Sequence, residues 1–392
     1  MARIIHCIIN NLICDQRLHK IALTLHKEHE VEVVGIKRHL WEAPLRGRPY
    51  TVRRLWVPAK KGPLFFLLAN VVMFMYLLLR RKWEAVLACD LHILPACWVA
   101  GFLRGKVVLL DSRELYTQTP FLVSRPFKRR VWELAEQLFY PRTRYIITVS
   151  PPIAEHFQKK YGKPVWVIYN LPLRGVRLAR PHLEERLLLY QGMLHPQRGL
   201  EELVNALKIA TGWRLWIVGD GPIRRRLEEI VLRERLGDRV VFFGMVPFEK
   251  VEDFTLRATL GVSGELPTAL NHRYALPNKV FDYLQAGIPV IAGEAPLIQA
   301  IVRKYNAGCV VEPWTPSSIA QTLKSLEMNR PLYDQWVEGA RKAASILHWE
   351  QQEGCLRYWV RCALEGREVS TQDAVQVCER VVEIGKAIYC VA

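Results

Sequence analysis

The chain has 392 residues, carries 55 Lys and Arg against 38 Asp and Glu for a formal net charge of +17, and half of its residues are hydrophobic. That length exceeds one ordinary domain and fits two, and the apolar share excludes global disorder. The positive field favours anionic partners (nucleic acid, an acidic membrane surface, phosphorylated small molecules) without choosing among them.

The N-terminal "MARIIHCIINN" has one Arg and a seven-residue apolar run before two Asn. It reads as a first strand, not a signal peptide, and predicts a cytoplasmic protein. Further short apolar runs follow: "VEVVGI", "TVRRLWV", "EAVLAC", "KVVLL", "RYIITV" and "PVWVIY". Between them lie segments with apolar residues at helical spacing, such as Ile21/Leu25 and Val131/Leu134/Ala135/Leu138. Alternating strands and helices with near-continuous apolar strands predict a parallel sheet covered on both faces. Nine cysteines (Cys7, Cys14, Cys89, Cys97, Cys309, Cys355, Cys362, Cys378 and Cys390) show no CxxC pair, a pattern of reduced thiols better than of a disulfide framework or zinc site.

The stretch "GPLFFLLANVVMFMYLLLRRK" stands apart. Residues 64–79 are apolar except for Asn70, with Lys60 and Lys61 before them and Arg80, Arg81 and Lys82 after. Sixteen residues fall short of the roughly 20 that span a bilayer. A helix is expected, either buried in the first domain or dipping into an anionic membrane surface, with a span the weakest of the three readings.

A Pro- and Arg-rich break, "NLPLRGVRLARPHLEER", then interrupts the alternation and divides the chain into a first domain over 1–172, a linker over 173–186 and a second domain over 187–345. The second half restarts with "LLLY", helix 199–210, "RLWIV", helix 222–235, "RVVFF", helix 247–256, "TLGV", helix 277–286, "PVIA" and "GCVV". Each half reads as a doubly wound α/β domain, in which ligands sit at the carboxyl ends of the strands. Residues 330–364 read as helical, and 371–389 as one more helix.

Four segments place polar residues at strand ends. In "VVLLDSRELYTQTP", Asp111, Arg113 and Glu114 follow a buried strand. In "YQGMLHPQRGLEEL", Gly192 ends a strand and Arg198 stands where its planar fork can reach a phosphate. In "LWIVGDGPIRRRLEE", Gly219, Asp220 and Gly221 form a tight strand-to-helix turn that is not a GxGxxG. In "ALPNKVFDYLQAGIPVIAGE", Pro277 in the first helical turn leaves backbone N–H groups free to face an anion, with Asn278 and, one turn on, Asp282 sharing a face and Lys279 beside them. Each also has a plainer reading, as an ordinary turn or a solvated helix face. No Ser/His/Asp order, HExxH or His/Cys spacing supports hydrolase or metal chemistry.

With these segments in order, the chain resembles the family-4 glycosyltransferases of the GT-B fold, and among them a bacterial subgroup that makes cell-surface polysaccharides or lipopolysaccharides. The resemblance covers roughly residues 3–365. "CDQRLHKIALTLHKEHEVEVVG" is similar to the opening D-x-R-x-x-x-x-A-x-x-L, "VLLDSRELYTQTP" to D-S-H-E-[LY]-[FY]-T-E-x-P, and "LPNKVFDYLQAGIPVIA" to LPNK-x-x-[ED]-Y-x-x-A-G-x-P-V. "YIITVSPPIAEHF", "VWVIYNLP", "IVGDGP" and "VVFFGMVPFEKV" follow in the expected places.

The resemblance implies two Rossmann-like domains facing a cleft, with C-terminal helices over 346–392 crossing back to the first. It implies retaining transfer of a sugar from a nucleotide diphosphate sugar, which is substrate and not cofactor, to a glycan or lipid-linked acceptor at the inner membrane face. Arg198 would hold the diphosphate. Lys279 and the backbone around Pro277 and Asn278 would hold phosphate or sugar, and Asp282 would contact the ribose. Gly192, Gly219, Asp220, Gly221 and the loop carrying Met245 would line the donor pocket. Three positions depart from the pattern: Tyr274 stands where the wider family has a Glu, Met193 where many members have an Arg, and Arg113 where they have a His. Arginine stays protonated and cannot act as a general base. A non-catalytic binder of nucleotide sugars is therefore the alternative. A nucleic-acid binder lacks both a helix-turn-helix and the aromatic and basic interleaving that binding needs.

Overall fold

β-branched and leucine-rich runs bounded by turns form two parallel sheets. The computed structural model describes residues 1–369 apart from Asn11, Cys14, 38–46, Val176, Arg180 and Ala275. The helix expected over 371–389 lies outside the described residues. Contacts divide the described residues into two compact units, one of Met1–Tyr169 with the described residues from Gln352, the other of Asn170–Gln351.

The first unit holds β1 (Arg3–Cys7), β2 (Glu30–Lys37), β3 (Thr51–Trp56), β4 (Ala85–Cys89), β5 (Val107–Ser112), β6 (Tyr145–Thr148) and β7 (Trp166–Val167), in the order β3-β2-β1-β4-β5-β6-β7. The second holds β8 (Leu187–Gln191), β9 (Arg214–Val218), β10 (Val240–Gly244), β11 (Leu260–Ser263), β12 (Val290–Ala292) and β13 (Gly308–Val310), in the order β10-β9-β8-β11-β12-β13. Every pairing is parallel. The chain order reverses between β1 and β4 and between β8 and β11. Open α/β sheets form their ligand crevices at the carboxyl ends of such strand pairs. The central strands β4, β8, β11 and β12 are buried throughout, as helices on both faces require. Edge strand β3 is half exposed and carries Arg53 and Arg54, charges that keep a free edge from pairing with another chain.

In the second unit Tyr190, Ile217, Trp213, Leu227, Leu323 and Tyr333 share one core, and the indole N–H of Trp213 reaches Glu327 at 2.9 Å. In the first unit the last described helix, Glu353–Leu364, packs on Gln16–His26, where Lys27 Nζ lies 2.6 Å from Glu353. The side-chain amide of fully buried Gln352 clasps Tyr169 like a strand partner: it accepts from the backbone N–H at 2.9 Å and donates to the carbonyl at 2.6 Å.

The apolar run forms an 18-residue helix, Gly62–Leu79, long and apolar enough by length and composition to cross a membrane, with mean hydropathy 2.1. The reading of a buried helix holds for one stripe only. Phe65, Ala69, Met73 and Leu77 are buried, while Leu64, Leu67, Val71, Met75 and Leu79 face outward. Asn70 explains itself: its amide donates to the carbonyls of Phe66 and His92 and accepts from the N–H of Ala96, pinning the next helix, Leu94–Arg104. The apolar positions Val131, Leu134 and Leu138 lie on a helix as expected, Pro126–Phe139, yet they are exposed. Cys7, Cys89, Cys97, Cys309 and Cys362 are free thiols, whereas Cys355 is disulfide-bonded, so the expectation of reduced thiols fails there.

Candidate active site

The site residues of the second unit gather where β8, β9 and β11 end. Gly192 follows β8 and donates its N–H to Val218, and Gly219 follows β9 and donates to Gly244 at the end of β10. The two loops touch: with φ at +144°, Gly219 has no room for a side chain, because a Cβ there would lie 1.9 Å from the Gly192 carbonyl oxygen. Leu194 then donates to the Asp220 carbonyl, and Asp220 turns its carboxylate onto the N–H of Gly221 and onto Arg224. Met245, after β10, is exposed.

Arg198 is carried by a loop locked to the end of β11. Leu266 donates its N–H to the carbonyl of Gln197. Gly199 sits at φ +65°, where a Cβ would lie 2.2 Å from the Gly264 carbonyl oxygen, and its own carbonyl accepts from the Trp314 indole at 2.9 Å. The following helix, Leu200–Ala206, ends short of the expected 210 because the chain turns at Leu207–Ala210 toward Trp213.

Helix Asn278–Gln285 starts one residue later than expected: Pro277 is its N-cap, with extended backbone, and no side chain caps the first turn. Asn278 is exposed and accepts from the Asn170 amide at 2.7 Å. Lys279 points inward. Its ammonium lies 3.9 Å from the centre of the Tyr190 ring and 2.6 Å from Glu265, which Arg198 also meets at 3.1 Å. Burial pulls the Lys279 pKa down to about 8; Glu265 opposes the drop and Arg198 adds to it. Burial pushes the Glu265 carboxyl the other way, but Lys279 and Arg198 outweigh it and hold the group below its ordinary value. Two cations on one carboxylate leave a net positive charge beside uncapped helix N–H groups, an arrangement that receives an anion. One turn on, Asp282 accepts from the Gln191 amide at 3.0 Å, and Gln191 in turn accepts from Thr255.

The structure thus brings Arg198, Lys279 and Asp282 together around β8 and β11, with Gly192 and Gly219 beneath. Two contributors escaped the sequence reading, Glu265 and Gln191. An acid directly after a buried strand, in "VSGELP", was the available signal for the first. Among the described residues no group of three His, Cys, Asp or Glu converges to hold a metal ion.

Arg113, in the first unit, directly follows β5 and points into the protein. Its Nη1 lies 2.7 Å from Asp15, its Nε 3.1 Å from Asp111 and its Nη2 3.2 Å from Cys89 Sγ. Arg17 grips Asp111 from the opposite side. The Arg113 backbone N–H donates to Asp90 at 2.7 Å. All three guanidinium nitrogens therefore bind protein groups at the carboxyl ends of β1, β4 and β5.

Sequence families match on both halves: residues 15–170 match the glycosyl transferase 4-like domain and residues 179–343 the glycosyl transferases group 1. This chain belongs to the glycosyltransferases of the GT-B fold. Among solved GT-B structures, sucrose-phosphate synthase from Thermosynechococcus elongatus superposes with a TM-score of 0.77 at 16% identity, over 93% of this chain and all of that one. Anabaena HepE in complex with UDP-glucose superposes with a TM-score of 0.74 at 14% identity, over 92% of this chain and all of that one. The putative teichuronic acid biosynthesis glycosyltransferase TuaC of Bacillus subtilis is 26% identical over 152 residues, 38% of this chain and 35% of its own length. The chain spans between 23% and 64% of the length of the curated relatives it matches.

Proposed function

We propose that the protein transfers a sugar, with retention as in family 4, from a nucleotide diphosphate sugar (UDP- or GDP-linked) to a lipid-linked or cell-surface glycan of a bacterial polysaccharide or lipopolysaccharide, at the cytoplasmic face of the membrane. The observation that carries the reading is the pairing of Arg198 and Lys279 on Glu265 at an uncapped helix start. A leaving diphosphate gathers negative charge as the glycosidic bond breaks, and preorganised cations and N–H groups are the main electrostatic help a protein can give it. Arg198 supplies a planar fork and Lys279 a point charge for the two phosphates. Asp282, oriented by Gln191, accepts from ribose hydroxyls. The donor is a substrate, and no separate cofactor is assigned. The relatives named for cell-wall polymer and lipopolysaccharide synthesis, and the UDP-glucose bound by HepE, point the same way.

The test is a melting series with UDP, GDP and ADP, followed by nucleotide-sugar hydrolysis and the anomeric configuration of the product. One diphosphate should raise the melting temperature, and Lys279→Ala should weaken that effect at least tenfold. Failure of all three nucleotides to bind at millimolar concentration would sink the reading.

The engagement of Arg113 with Asp15, Asp111 and Cys89 favours a second reading, a protein that binds nucleotide sugars without turning them over. Release of free nucleotide by the natural chain in the presence of a membrane acceptor separates the two.

A further inference from the structure

Away from the donor site, the first unit carries an apolar surface that its own fold leaves uncovered. A surface helix normally turns its apolar stripe to the core. Helix Pro126–Phe139 does the reverse. Its one buried side chain is Glu136, whose carboxylate accepts from Thr117 at 3.0 Å and Tyr161 at 2.6 Å. Outward stand Phe127, Val131, Leu134 and Leu138, at spacings of four, three and four that form a single stripe, with exposures from 48% to 83%. Helix Gly62–Leu79 presents Leu67, Val71 and Met75 in the same way, and the two helices meet where Phe66 lies edge-on to Trp132, 5.4 Å between ring centres. Isolated exposed apolar residues are common in proteins, but two adjoining stripes are not.

The exposed charges around these stripes are mostly basic, with Glu84 the exposed acid beyond Lys82. Gly62–Leu79 contains no ionisable side chain but Tyr76, and Lys60, Lys61, Arg81 and Lys82 stand exposed at its two ends. Arg125, Lys128 and Arg130 border Phe127, with the Arg125 guanidinium 3.9 Å from the centre of the Phe121 ring. Glu133, the remaining acid of Pro126–Phe139, is neutralised by Arg129 at 2.9 Å.

We propose that this face docks on a lipid bilayer rich in anionic headgroups, the two helices lying in the interface with their stripes among the acyl chains. Apolar residues enter the boundary region while long basic side chains reach back to the phosphates. A second copy of the chain would set like charge against like, whereas an anionic plane complements the whole border at once. The inference deepens the membrane-face part of the proposed function and rests on that reading for its purpose, while its physical claim is tested without any sugar.

The full chain is sedimented with vesicles of phosphatidylcholine alone and of phosphatidylcholine mixed with phosphatidylglycerol, at low and high salt. Binding to the mixed vesicles at low salt should exceed binding to the neutral ones roughly tenfold and fall with salt. Val131→Glu with Leu134→Glu, and separately Val71→Glu with Met75→Glu, should each weaken vesicle binding about tenfold, with melting temperature and nucleotide binding unchanged. These positions are exposed, so the variants should fold. Equal sedimentation of parent and variants overturns the proposal, as does a parent that ignores anionic vesicles or forms a dimer that the substitutions dissociate. A parent that binds vesicles but no nucleotide leaves the docking surface standing and removes the transferase reading instead.

Discussion

Glu265 holds Lys279 at 2.6 Å and Arg198 at 3.1 Å on the same carboxylate oxygen. Arg198 and Glu265 come from two different loops and Lys279 from the first turn of helix Asn278–Gln285, so this acid sets the spacing of the two cations. Removing one partner of a buried ion pair leaves the other uncompensated, at a cost of about 3 kcal/mol. Glu265→Gln should therefore lower stability by that order in urea denaturation. Adding Lys279→Met should restore part of the loss. A double variant no more stable than Glu265→Gln alone would mean that the pair is not coupled.

Lys279 yields a pH dependence with two opposite signs. Its pKa in the fold, about 8, lies below the ordinary 10.5, so the unfolded chain holds this proton more tightly between those values. The free protein should gain stability as pH rises through that window. Diphosphate binding needs the charged form and should weaken by up to tenfold per pH unit above about 8. Calorimetry in two buffers of different ionisation enthalpy should also detect proton uptake on binding near pH 8.5. Affinity flat from pH 7 to 10 would remove Lys279 from the phosphate site.

Arg113→His would place here the residue expected from the resemblance to the family motif, yet it should destabilise this protein. Asp15 and Asp111 would lose a guanidinium that binds both, at about 3 kcal/mol. Although burial opposes it, Arg113 helps hold the Asp15 carboxyl down at about 2. Stability from this group is present above the ordinary value of 3.8 and lost as pH falls toward 2, and the variant should lose that acid-side reserve first. Equal urea midpoints at pH 7 and pH 4 for parent and variant would show the arginine to be dispensable.

The Gly192–Gly219 contact leaves no room for a methyl group. Gly219→Ala would force the two loops apart and strain a backbone at positive φ, costing about 2 kcal/mol or more and opening the floor of the proposed donor site. Nucleotide affinity should fall further than stability does. Unchanged affinity would separate this turn from the ligand.

Much of this was legible beforehand. Apolar runs located the strands because buried parallel strands need hydrophobic side chains on both faces, and the polar ends of "VVLLDSRE" and "LLLYQG" marked the loops at their carboxyl edges. Periodicity also found the helix holding Val131, Leu134 and Leu138, but it cannot tell an inward stripe from an outward one; that depends on Glu136 finding Thr117 and Tyr161. Glu265 was hidden for a related reason, since its meaning comes from two cations distant in sequence. Arg113 was legible as a polar residue after a buried strand and as a departure from the family's His; that Asp15 and Asp111 turn it inward was not.

The clasp between Gln352 and Tyr169 has a consequence for how the chain is made. The first sheet is complete in sequence at residue 169, but the helix that finishes its packing begins at Glu353, after 352 − 169 = 183 further residues. At synthesis rates of about 5–20 residues per second, the N-terminal half waits on the order of 10–40 s on the ribosome with the Gln16–His26 face uncovered. The second unit, translated later, has all its described strands and helices in one stretch and can be finished first. Nascent-chain proteolysis should find the Asn170–Gln351 unit protected before the half that precedes it.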